Sequence, residues 1–97
     1  MTQLPAIEIK FEYADGDPDI YELIEKGFRK DVSIVVGGKE TKVNFYTAER
    51  LIHELKIWME TKNWNFIVQA NLVIQDELDN ESIRQKLRRL VAAGVFV

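Results

Sequence analysis

Apolar and polar residues alternate at the start of the chain. In AIEIKFEY, Ile7, Ile9, Phe11 and Tyr13 fall on one side and Glu8, Lys10 and Glu12 on the other. A period of two predicts a strand with one wet face. The pattern changes in YADGDPDIYELIEKG, where Ile20, Leu23 and Ile24 recur at helical spacing. Asp17 is a cap residue, Pro18 suits the first helical position, and Gly27 suits the end, so a short helix is expected. Alternation returns in DVSIVVGGKETKVNFYT. There Val32, Ile34 and Val36 share a face, Val43 and Phe45 share a face, and Gly37-Gly38 supplies the left-handed angles of a hairpin turn.

The period then lengthens again. In YTAERLIHELKIWMETK, Thr47 is the natural cap and Tyr46 can staple to Leu51 across the first turn. Leu51, Ile52, Leu55, Trp58 and Met59 form the expected buried stripe. NWNFIVQANLVIQ, rich in aromatic and branched residues, reads as one long strand with an irregularity near Asn71, or as two short ones. The last helix is capped by Asp79, stapled by Leu78 and Ile83, and ended by Gly94, with Ile83, Leu87, Leu90 and Val91 facing inward. VFV closes the chain as a packing tail. The likeness of the two helix starts YTAERL and LDNESI reflects capping rather than an internal repeat.

The order strand, helix, strand, strand, helix, one or two strands, helix predicts an α+β two-layer sandwich. Its sheet should have four to five strands, mostly antiparallel, with about three helices on one face. A ferredoxin-like split βαβ with an added C-terminal helix is the topological alternative. Ninety-seven residues at 46% apolar content make one domain over 1–97, with enough chain for one core.

The absence of cysteine excludes disulfides and thiolate chemistry and fits a reducing cytoplasm. MTQLPAIEIKFEY lacks the basic-then-apolar pattern of a signal peptide. No apolar run approaches the ~20 residues a bilayer requires, so no membrane partner is expected. The net charge is −3, unevenly spread: eight acids lie between Glu8 and Asp31, whereas Ser82 onward carries four bases and no acid.

Asp15, Asp17 and Asp19 have the spacing of the first three ligands of a calcium loop. The sixth position is however Ile20 and the twelfth Lys26, where such a loop needs Gly and a bidentate Glu. The run therefore reads as a helix start. His53, the sole histidine, has no metal-ligand spacing and should face solvent. Asp76, Glu77, Asp79 and Glu81 read as a turn, a cap and a dipole-matched first turn rather than paired catalytic carboxylates. Gly37-Gly38 lacks the spacing of a phosphate loop, and Ser33 and Ser82 lack the context of a nucleophile. No catalytic residue, metal or cofactor is expected. The aromatics Trp58, Trp64 and Phe66 read as core.

Two surfaces remain. Ile57 breaks the pattern of its helix by standing on the polar side, so His53, Ile57 and Glu60 form a candidate interaction surface. Arg84, Lys86, Arg88 and Arg89 form a candidate basic surface, for phosphate or an acidic partner.

The C-terminal half resembles a loose group of small uncharacterised bacterial proteins. They share an F-x-T-x-x-x-(I/L) helix start, a (D/N)-L-(V/I)-I strand and a capped x-I-R-x-x-(I/L)-x-x-L helix ending in Gly-x-Phe. The matching residues are Phe45, Thr47, Leu51, Asn71, Leu72, Val73, Ile74, Ile83, Arg84, Leu90, Gly94 and Phe96. Most are caps, staples and core, and none is catalytic. The resemblance carries no established function with it, but small acidic proteins of this kind are often immunity or antitoxin proteins that act on a partner. The expected function is accordingly non-enzymatic, through contact with another protein or a second copy of the chain. An acidic surface of this kind speeds association with basic targets. Nucleic-acid binding through the basic helix is the alternative, with binding that falls steeply as salt rises.

Overall fold

The computed structural model describes residues 6–66 and 70–95. The elements are β1 (Ile7–Phe11), α1 (Pro18–Lys26), β2 (Phe28–Val36), β3 (Lys39–Tyr46), α2 (Ala48–Lys62), β4 (Leu72–Ile74) and α3 (Asn80–Ala92). Each helix starts where a local acceptor satisfies a free backbone N–H. The Asp17 carboxylate accepts from Asp19 N at 2.9 Å, the Thr47 hydroxyl from Arg50 N at 3.1 Å, and the Asp79 carboxylate from Ser82 N at 3.1 Å. Helix α3 ends in a Schellman turn. Gly94 has φ 82°, its N–H donates to Val91 O, and the Val95 N–H donates to Leu90 O.

The fold is α+β, with a four-stranded mixed sheet in the order β1-β2-β3-β4. The first two pairings are antiparallel, and β3 runs parallel to β4 after the crossover through α2. This sequential order differs from the interleaved order of a ferredoxin-like sheet. Asn71, at φ 51°, is the irregularity expected before the last strand. Its side chain donates to Lys42 O at 3.1 Å, and Asn44 donates to Ala70 O at 2.9 Å, which pins the start of β4. Ile67–Gln69 of the expected long strand, and Phe96 and Val97 of the expected tail, lie outside the described residues.

The core lies between one sheet face and α3. Val32, Ile34, Val43 and Phe45 from the sheet meet Leu78, Ile83, Leu87 and Val91. Ile24 of α1 and Leu90 of α3 pack against this cluster, so α1 and α3 serve the same face. The start of α2 meets the other face. The Arg50 guanidinium lies 5.2 Å from the Phe28 ring, and Phe28 must leave β2 opposite its neighbour Arg29. Gly27 makes that junction possible. With φ 81° it donates to Leu23 O and Ile24 O to end α1, while its own carbonyl accepts from Thr47 N at 2.9 Å. A Cβ there would stand 2.8 Å from both Arg50 Cβ and Thr47 Oγ1, closer than packed atoms allow.

Strand β2 begins at Phe28, three residues before the hairpin expected from alternation. Between Arg29 and Val32 the register shifts against β3: Arg29 pairs with Phe45 and Val32 with Val43. A bulge of this kind turns two residues an odd number apart to the same face. Arg29 is therefore carried into the core side and is fully buried.

Candidate interaction surface

Around Arg29 the structure assembles a polar network that links the first third of the chain to the start of α3. Its Nε and Nη2 donate to the two Asp31 carboxylate oxygens, each at 2.9 Å. Nη1 donates to Leu78 O at 3.0 Å, and Nη2 also donates to Asn80 Oδ1 at 2.9 Å. Asn80 passes the chain of bonds onward by donating to Asp15 at 2.7 Å. Arg84 closes it with two bonds to the same carboxylate, at 2.8 and 3.1 Å. Both guanidiniums reach the Phe11 ring, at 5.5 Å for Arg29 and 5.1 Å for Arg84. Each of the three guanidinium nitrogens that Arg29 brings inside thus has a partner, as a buried cation requires.

The aspartate run is mainly punctuation, as expected, but Asp15 holds α3 to the loop after β1. Hydrogen bonds from Arg84 and then Asn80 keep its carboxyl below the ordinary range. For Asp31, burial alone would raise the pKa, and the Arg29 hydrogen bonds and charge outweigh it, leaving it lowered. The Ser82 hydroxyl lowers Asp79. Groups whose folded pKa is depressed add stability above their unfolded pKa and lose it as pH falls through the folded value. Stability should therefore drop on acidification below about pH 4. Asp31→Asn should flatten that drop, so that urea midpoints of variant and wild type converge as the pH falls. Parallel curves would show that Asp31 is not a source of the pH dependence.

This network takes Arg84 out of the candidate basic surface. Glu81 also engages Arg84, at 3.4 Å. Lys86 is half-buried and lines, with Arg89, a shallow groove that also holds Asp76 and Glu77. Arg88 and Arg89 remain exposed. Asp79 and Glu81 hold their expected places at the cap and first turn of α3. Among the described residues, no group of three or more acids and histidines could hold a metal ion.

The other candidate surface lies on α2, where no residue is fully buried. Arg50, Leu51, Glu54, Leu55, Ile57 and Trp58 are half-buried. His53 and Glu60 are exposed, as expected. His53 lines an open groove of about 680 Å³ between the end of α1 and the start of α2. Ile57, expected to stand free, is instead half-buried. Conversely, Ile52 and Met59, expected in the buried stripe, are 57% and 50% exposed. The helix is turned so that its Glu54–Trp58 side faces the body of the protein.

The expectation that Trp64 and Phe66 are core is also corrected: they are 41% and 49% exposed. The Trp64 ring meets Trp58 edge-on at 5.6 Å and stacks on Phe66 at 5.3 Å. Lys62 Nζ lies 4.8 Å from Trp58 and 5.1 Å from Trp64. These rings stabilise one another at the end of α2 instead of filling the core. Ile74 on edge strand β4 is also exposed.

The network was hidden because its key residue depends on a bulge. The α2 surface had a usable signal: the apolar positions wrap around more of the helix than one packed face can cover. Compared with protein-family models, curated proteins and solved structures, the chain matches none. No helix among the described residues is long and apolar enough to cross a membrane.

Proposed function

We propose that the protein works without catalysis, by binding another protein chain through the exposed side of α2 and the rings that follow it. The observation that carries this reading is the exposure of Ile52 and Met59 together with Trp64 and Phe66. Single exposed apolar residues are ordinary, whereas a group of large ones on one helix and its extension is a feature of interaction sites. Aromatic residues and methionine are also the types enriched in interface centres. A role of the immunity, antitoxin or regulatory kind, in a bacterial cytoplasm, agrees with the cysteine-free composition and with the resemblance of the C-terminal half.

The test is capture from lysate of the native host with wild type, an Ile52→Glu/Met59→Glu variant, and an Arg88→Glu/Arg89→Glu variant. A stoichiometric protein should be retained by wild type and by the arginine variant. The α2 variant should lose it by at least about tenfold. Nuclease-sensitive material lost only with the arginines would replace this reading with the nucleic-acid one.

A further inference from the structure

We infer that the chain on the exposed side of α2 is a second copy of this protein, docked antiparallel through the same helix. This rests on the reading of α2 as a contact surface and names its occupant. Ala48, Ile52, Leu55 and Met59 follow one another at intervals of four, three and four. That spacing keeps them in a single row along the helix. The row runs about 17 Å at 1.5 Å per residue. Ala48, Ile52 and Met59 are exposed and Leu55 is half-buried, with Ala48 and Ile52 bordering the open groove beside α1, so a partner reaches the row from its exposed edge.

The charges beside the row choose the orientation. Glu49 and Lys56 flank it on the side of the open groove beside α1, both exposed, and among the described residues neither makes an ion pair. In an antiparallel pair, positions of this type meet their own kind across the seam. With Ile52 set against Leu55 of the second copy and Ala48 against its Met59, Glu49 faces Lys56 of the second copy. The two-fold axis repeats the pair as Lys56 facing Glu49. One sequence thus supplies both halves of a self-complementary surface, which is what an isologous dimer demands. A parallel pairing would instead bring like residues level with one another along the seam.

Two helices of fifteen residues cover less than the ~1,600 Å² of a standard interface. The association is therefore weak enough to be read from its concentration dependence.

Sedimentation velocity from about 1 µM to about 1 mM tests the assignment. Wild type should pass from monomer to dimer over this range, and Ile52→Glu should stay monomeric with its helix content retained. Glu49→Lys and Lys56→Glu should each weaken dimerisation by about tenfold, since each sets two like-charge pairs across the seam. The Glu49→Lys/Lys56→Glu double variant should recover the wild-type constant, a rescue that loss of folding cannot imitate. A dimer indifferent to Ile52→Glu and to both single reversals overturns the interface. A wild type that stays monomeric to about 1 mM overturns the second copy as occupant. If a different protein then binds and Ile52→Glu releases it, the contact reading of α2 stands without the dimer. If nothing binds there, both readings fall.

Discussion

Arg29→Met is expected to destabilise the protein by about 3–5 kcal/mol, because it removes one member of a buried ion pair and strands the other. For a chain of this size that lowers the melting temperature by more than about 12 °C. The Asp31 side chain is 5% exposed and would be left as a carboxylate without its charged partner. Leu78 O and Asn80 Oδ1 would lose their donor at the same time. Methionine keeps most of the aliphatic volume, so the loss reports charge and hydrogen bonding rather than a cavity. Two further measurements separate the causes. Adding Asp31→Asn should return about half of the loss by removing the stranded charge. Lowering the pH should also shrink the penalty, since a lone buried carboxyl has a raised pKa and becomes neutral as pH falls through it. A loss of under about 1 kcal/mol would show that the network is incidental to the fold.

The second large effect is expected at Phe45, fully buried on β3 between β2 and β4. Phe45→Ala should cost about 3–5 kcal/mol through lost burial and the cavity left behind. Unlike Arg29→Met, it should cost nearly the same at neutral and acidic pH, because no titrating group is stranded. Urea denaturation at two pH values distinguishes the variants. A Phe45→Ala penalty that shrank in acid alongside that of Arg29→Met would mean that the network, not packing, dominates this part of the core.

What is readable without coordinates follows from how local each signal is. Asp17, Thr47 and Asp79 announce helix starts because a cap acts within three residues of itself. The inward row of α3 is readable because four apolar residues at helical spacing leave one choice of face. The position of Arg29 is not readable in this way. Simple alternation from Val32 puts it on the opposite face, and only the shift in pairing with β3 turns it inward, a property of two strands together. On α2 the obstacle is different. Apolar residues at 51, 52, 55, 57, 58 and 59 offer more than one face to bury, and the choice depends on where the helix leaves β3. The spacing thereby places Ile57 as free and Ile52 and Met59 as covered, and the structure reverses all three. The exposure of Trp64 and Phe66 escapes composition altogether, since a tryptophan is interior far more often than not.

The contacts through Arg29 have one more consequence. Its bonds to Leu78 and Asn80 join residues 49 and 51 positions apart, and those of Asp15 to Asn80 and Arg84 join residues 65 and 69 apart. Strands β1, β2 and β3 instead pair with sequence neighbours. Ordering a long loop costs more entropy than ordering a short one, so the three-strand meander can assemble before α3 closes over it. The same asymmetry operates in reverse. Release of α3 as one unit would open the whole core, and the polar clasp at its first turn, together with the packing of Ile83, Leu87 and Val91, sets how often that core meets water.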